Sequence, residues 1–187
     1  MKVVNGRIGS FVFYDATGNG NPIAAYQCVS LADSTEVTAA NAAGIRGEVG
    51  DIVVPTPVSG GLATRRVIGV TVGSSWNGNE VSVCMDGSVH VMANAGVTFT
   101  PTAIVHPAAT GTRTTAQTPF TNNFDMLLPQ DPKFPVTYNL SMIDDTALPA
   151  AGQIVWPLGY PLEAATAQYD IIAVHLATAP FYVSAGA

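Results

Sequence analysis

The stretch VSVCMDGSVHVM, residues 81–92, brings Cys84, Asp86 and His90 within twelve positions. A thiol beside an imidazole and a carboxylate is the raw material of nucleophilic catalysis, provided the three side chains converge. Strand register decides whether they do. Asp-Gly between alternating hydrophobic residues is a strong hairpin signal. A three-residue loop, Met85-Asp86-Gly87, sets Cys84 opposite Ser88, Val83 opposite Val89, Ser82 opposite His90 and Val81 opposite Val91. All four valines then share one face, and Gly87 takes the left-handed loop position that glycine adopts freely. Cys84 and His90 are thereby expected on the polar face of an amphipathic hairpin, which leaves no chemistry to explain.

The remaining reactive residues are similarly scattered. GSSWNG at 73–78 has serines among glycines but lacks the spacing of a nucleophile elbow, and reads as a polar loop. His90, His106 and His175 stand alone, without the close pairing that metal ligation favours. DATGNGNP at 15–22 has the glycines of a phosphate loop but neither the helix nor the lysine that should follow. It also lacks the alternating acids of a calcium loop, and reads as a turn between strands. Asp144-Asp145 fits either paired carboxylates or an exposed acidic turn. Cys28 and Cys84 are expected as free thiols. No cofactor or metal is implied, and the chain reads as a non-enzyme.

The elements that would position these groups are almost all strands. Short β-rich runs such as RIGSFVFY, DIVVP, RRVIGVTV, EVSVCM, SVHVM, PVTYNLSMI, QIVWPLG and DIIAVHL alternate with glycine and proline. The expected fold is all-β, a small β-barrel or sandwich of short antiparallel strands. Residues 1–40 read as an amino-terminal arm and first strands, and 41–187 as the barrel or sandwich domain. Residues 112–150 form a Pro-rich excursion inserted in that domain, ordered by Phe120, Phe124, Leu127, Leu128 and Phe134, with VTYNLSMI able to form a strand. STEVTAANAA, 34–43, is the one helix candidate, stopped by Gly44. An internal echo links 68–85 with 158–176: Gly69 and Gly159 each begin a strand, and Glu80 and Asp170 each follow eleven positions later. The same hairpin plan is used twice, giving two ribbons of one barrel.

Only 11% of the 187 residues are charged, against roughly 25% in ordinary soluble domains, while 48% are apolar. Low charge suits a building block whose surface is hidden in an assembly. A net charge of −6, with Arg65-Arg66 as the only paired basic residues, opposes nucleic-acid binding. Neither a secretory signal nor a membrane span is expected.

An ordered series of pieces resembles the decoration, or cement, proteins of tailed-bacteriophage capsids: GEVGDIVVP (47–55), VIGVTV (67–72), NEVSVCMDGSVHVMANAG (79–96), TFTPTAIVHPAATG (98–111) and AGQIVWPLGYPLEAATAQYDIIAVHL (151–176). They account for 73 of the 187 residues. Pro101-Thr102 replaces the usual Gly-acid pair, and 112–150 is longer than the usual connection. The resemblance implies a virion protein on the outer surface of the head, made in the host cytoplasm, that bridges neighbouring major capsid protein subunits as a homotrimer. It implies no enzyme activity, nucleic acid or membrane partner. Candidate interface residues are Phe11, Phe13, Tyr14, Trp76, Phe120, Phe124 and Phe134. For Phe11, Phe13 and Tyr14 the rival reading is the domain's own core, and for Trp76 a plain loop position. The alternative function is a receptor- or carbohydrate-binding β-sandwich of a phage fibre or spike, with Trp76, Asn77 and Asn79 as its local group.

Overall fold

The computed structural model describes residues 6–94, 96–98, 100, 103–114, 136–145 and 149–184. Its elements are β1 (Ile8–Phe13), β2 (Cys28–Leu31), α1 (Ser34–Ala42), β3 (Ile52–Pro55), β4 (Val58–Ser59), β5 (Leu62–Ala63), β6 (Gly69–Thr71), β7 (Glu80–Cys84), β8 (Ser88–Met92), β9 (His106–Thr114), β10 (Thr137–Asp144), β11 (Ile154–Val155), β12 (Gly159–Pro161), β13 (Ile171–Leu176) and β14 (Phe181–Tyr182). The fold is all-β around a small closed barrel, as the short, punctuated runs predict.

That barrel has the strand order β1-β3-β2-β6-β7, closed by β7 against β1. Ile8–Phe13 and Cys28–Leu31, from the stretch read as an arm and first strands, are two of its staves. Pairing is antiparallel except between β1 and β3, which run parallel with Val12 beside Ile52. Inside lie Phe13, Ile23, Val29, Val53, Val81 and Val83. Alternation along each strand sends these positions inward and their neighbours outward.

The second half of the chain repeats this plan. β8, β13 and β12 form an antiparallel sheet, and β9 pairs with β10. Two single bridges join them: Val105 to Gly159 antiparallel, and Ala93 to Ile143 parallel. The resulting cyclic order, β8-β10-β9-β12-β13, matches the first ring strand for strand, including its one parallel contact. The interiors match as well. Ala93, Val97, Val105, Ile143, Ile172 and Val174 occupy the places of Phe13, Ile23, Val29, Val53, Val81 and Val83, and all six are buried. Gly69 and Gly159 are equivalent to the atom. A Cβ on Gly69 would stand 2.1 Å from the Cys84 carbonyl oxygen, and one on Gly159 would stand 1.9 Å from that of His175.

The echo is therefore real, but its two ribbons belong to two rings, β6–β7 to the first and β12–β13 to the second. The acids align differently from the sequence reading. The carbonyls of Asn79 and Asp170 accept from the equivalent amides of Phe13 and Ala93, which makes Asn79, and not Glu80, the partner of Asp170. Gly78 and Tyr169, just before them, share a left-handed backbone at φ 82 and 72.

The expected hairpin across 81–92 does not form. β7 pairs with β1 and β6, and β8 pairs with β13. Both edges of β7 are already taken, so the chain turns at Asp86-Gly87 and leaves for the second ring. Gly87 does adopt the left-handed conformation, at φ 77. The valines are buried and Ser82 is exposed, but Cys84 is fully buried instead of lying on a polar face.

Between the second and third strands of the first ring sits α1, ending at Ala42 with Gly44 left-handed at φ 86. The Asp33 carboxylate accepts from the amides of Thr35 and Glu36 at 2.9 Å each, and the Glu36 carboxylate accepts from the Asp33 amide. This capping box starts the helix and contributes about 1 kcal/mol. Arg65 clamps Glu36 with two bonds of 2.6 and 2.9 Å. Val37 and Ala40 cover Tyr14, Ala32, Ile52 and Val54 on the outside of β1 and β3. In the second ring the same interval, between β9 and β10, holds residues 115–135. Phe120, Phe124, Leu127, Leu128 and Phe134 there lie outside the described residues. The VTYNLSMI strand is present as β10.

Candidate docking surface

Of the groups that could do chemistry, none assembles into a reactive constellation among the described residues. Cys28 and Cys84 are both fully buried and free. They flank Val70 in successive cross-strand pairs, which separates them by two strand spacings, about 10 Å, beyond disulfide reach. Burial pushes both thiols up, the reverse of what a nucleophilic cysteine needs.

The histidines stay apart. His90 sets its ring edge-on to Tyr26 at 6.2 Å. His175 is exposed on the outside of β13. His106 is buried opposite Asp144, its Nε2 4.0 Å from the carboxylate and without a hydrogen bond, while Nδ1 stands 3.3 Å from the Pro107 carbonyl oxygen. The first ring holds Ser30 opposite Val54 at this place. Asp144 and Asp145 are neither paired nor an exposed acidic turn, because strand alternation turns them apart. Asp144 is buried beside His106 on the outer face of the second ring, and Asp145 accepts from the Thr98 amide at 2.7 Å. No three His, Cys, Asp or Glu side chains come together to hold a metal among the described residues.

The DATGNGNP loop is organised by Asp15, whose carboxylate accepts from the Thr17 amide and hydroxyl and from the Asn21 amide. Gly18 and Gly20 supply its left-handed turns. This buried carboxylate is saturated by its own loop. Beside it a cleft of about 320 Å³ opens between the first ring and the β9–β10 ribbon, lined by Asp15, Thr17, Glu36, Thr110, Thr112 and Asn139. Its Glu36 carboxylate is already spent on Arg65 and the helix cap.

Four of the seven candidate interface residues are described. Phe13 and Tyr14 are buried in the first ring and beneath α1, so neither faces a partner in this fold. Phe11 is half-buried against the ring interior. Trp76 is 55% exposed in the β6–β7 loop. Its neighbour Asn77 is committed to the backbone, its side-chain oxygen accepting from the Asp15 amide at 2.8 Å. Phe120, Phe124 and Phe134 lie outside the described residues.

Sequence reasoning passed over an exposed apolar ribbon. β12 and β13 continue past the second ring as a two-stranded ribbon. Its rungs run from Tyr160–His175 and Gly159–Leu176 through the Ala177–Leu158 hydrogen bond to Val155–Phe181 and Ile154–Tyr182. Side chains of paired residues share a face. Paired Ile154 and Tyr182 are exposed on one face of the outer rungs and Phe181 on the other, and Tyr160 and Leu162 are exposed nearer the ring. The near-continuous apolar run in QIVWPLGYPL does not say which face is covered, so no sequence signal distinguished Tyr160 from buried Val70 at the same place in the first ring. Large apolar side chains left exposed on a paired ribbon suit contact with another protein.

Comparison with known protein families, with curated proteins and with solved structures finds no match to this chain.

Proposed function

We propose that this chain is a non-enzymatic structural protein of a virion. In this reading it binds the outer surface of a tailed-phage head as a homotrimer and stabilises the mature capsid by bridging neighbouring major capsid protein subunits. The observation that carries the reading is the uncovered apolar ribbon of the second ring, with Ile154, Tyr160 and Tyr182 held on strands. Side chains fixed on strands present an ordered face at low entropic cost, which favours protein–protein contact. The pieces that resemble decoration proteins supply the staves and corners of both rings, β3, β6, β7, β8, the start of β9, β12 and β13. Low charge throughout the chain suits extensive buried contact.

A bridging protein acts by mass action, favouring whichever shell state displays its site. Many identical copies make individually weak contacts collectively strong. The test is co-sedimentation with mature shells lacking the protein, followed by heating of decorated and bare shells. Saturable binding at a fixed ratio to the shell protein, with a higher disruption temperature, is expected. Absence of binding by folded protein would overturn the reading, and glycan binding centred on Trp76 would replace it with the carbohydrate-binding alternative.

A further inference from the structure

The two rings pack against each other through unlike surfaces. The outer wall of the first ring carries the cross-strand row Cys28–Val70–Cys84, fully buried although it faces away from that ring's interior. It joins one buried cluster with Val91, Leu158 and Leu176 of the second ring. The wall of one ring therefore covers the interior of the next.

Both halves of this junction recur on the opposite rings, and both are less buried there than in the junction. The row equivalent to Cys28–Val70–Cys84 is Ile104–Tyr160–His175. Ile104 is half-buried, Tyr160 is 47% exposed and His175 is exposed. The places of Val91, Leu158 and Leu176 are taken in the first ring by Phe11, Ile68 and Met85, each half-buried where its counterpart is covered. These three lie toward the end where β6 starts and β7 finishes. The Phe11 ring and the Met85 sulfur both approach Gly9 there, within 2.8 Å of where its Cβ would stand.

We propose that copies of this chain associate head to tail. The Tyr160–His175 wall of one copy packs on the Phe11–Ile68–Met85 end of the next and repeats the junction already made within the chain. The occupant is a second copy because the complementary half of the in-chain interface is itself left half-exposed on the same molecule. The residue types agree. Where the wall is permanently buried it is cysteine and valine, and where it must also meet water its half-buried Ile104 is joined by tyrosine and histidine, whose apolar bodies carry polar tips. The contact between copies is narrower than the internal one. On the second ring Ala24 and Tyr26 also lie against Met92 and Met142, whereas α1 occupies the corresponding strip of the first ring. Heterologous contacts of this kind close into a ring when the rotation per copy permits, and otherwise extend. The inference does not depend on the virion role proposed above.

The experiment is sedimentation velocity of the full chain across a wide concentration range, with the substitutions Tyr160→Arg and Met85→Glu made separately. Wild type is expected to assemble and each variant alone to remain monomeric. A mixture of the two variants is expected to form a one-to-one pair and nothing larger, since only one intact wall meets one intact end. A wild type that stays monomeric throughout, or variants that assemble as wild type does, would overturn the proposal. Disulfide trapping keeps the test open if Met85→Glu unfolds. Tyr160→Cys and Ile68→Cys chains should cross-link to each other and not to themselves, and a Tyr160→Cys homodimer would refute head-to-tail order.

Discussion

Gly69 and Gly159 make the repeated architecture testable at two backbone positions. Neither has a left-handed φ, so alanine there suffers no conformational strain. On propensity alone, Gly→Ala in a strand should stabilise by about 0.4–1 kcal/mol, by restricting the unfolded chain. The ladder reverses that sign. The added methyl would stand 2.1 Å from the Cys84 carbonyl at Gly69 and 1.9 Å from the His175 carbonyl at Gly159, against the 3.4 Å at which ordinary contact begins. The obstacle is backbone, held by the neighbouring rungs Val70–Cys84 and Tyr160–His175, so no side chain can swing away. Separating the strands lengthens ladder hydrogen bonds in a packed wall, and overpacking of this kind costs about 1–3 kcal/mol, occasionally more. Gly73→Ala is the control, because nothing lies within 4 Å of its Cβ and its φ is ordinary. Denaturant unfolding followed by circular dichroism measures all three. Gly69→Ala and Gly159→Ala should both shift the midpoint down, while Gly73→Ala leaves it unchanged or slightly raised. A Gly159→Ala protein as stable as wild type would refute the β12–β13 register and, with it, the equivalence of the two rings.

Asp33→Ala removes the acceptor for two amides at the start of α1 and should lower the unfolding free energy by about 1 kcal/mol, read from the same denaturant curves. The Asp170 carboxyl lies below its ordinary value near 3.8, because the amides of Thr166 and Ala167 and the Thr166 hydroxyl donate to its ionised form. Its stabilising effect is complete above that ordinary value and is lost as pH falls through the depressed one. Asp170→Asn should therefore flatten the loss of stability below about pH 4, which thermal melts at graded pH will show. Both thiols are buried with their ionisation pushed up, so alkylation should be slow in native buffer and rapid for both cysteines in denaturant. Fast native labelling of Cys84 would mean that the junction between the rings opens.

Several of these features were legible in the sequence. The class of fold followed from short runs of period-two hydrophobicity between glycine and proline. α1 followed from STEVTAANAA and Gly44. The repeated hairpin was visible in Gly69 and Gly159, which are glycine because a carbonyl of the paired strand occupies the space of a Cβ. The free state of Cys28 and Cys84 was also expected, although the reason, their places on either side of Val70, was not visible.

The misread parts share one cause. VSVCMDGSVHVM has the composition of a hairpin, and each half alternates as a strand should. Yet β1 and β6 already hold both edges of β7, and those partners lie up to 76 residues away in the chain. Local pattern encodes that a segment is extended and which side chains point together. It does not encode which strand fills each edge, since every backbone offers the same donors and acceptors. The sequence by itself therefore determined strands, turns, the helix and its stop, and the existence of a repeat. The tertiary structure alone decided ring membership and which outer faces are covered. Cys84 and His175 occupy the same place on equivalent strands, and one is buried while the other meets water. The physical reason is that the second ring packs against the first ring's wall, while no described residue buries Tyr160 and His175 on the second ring's own wall.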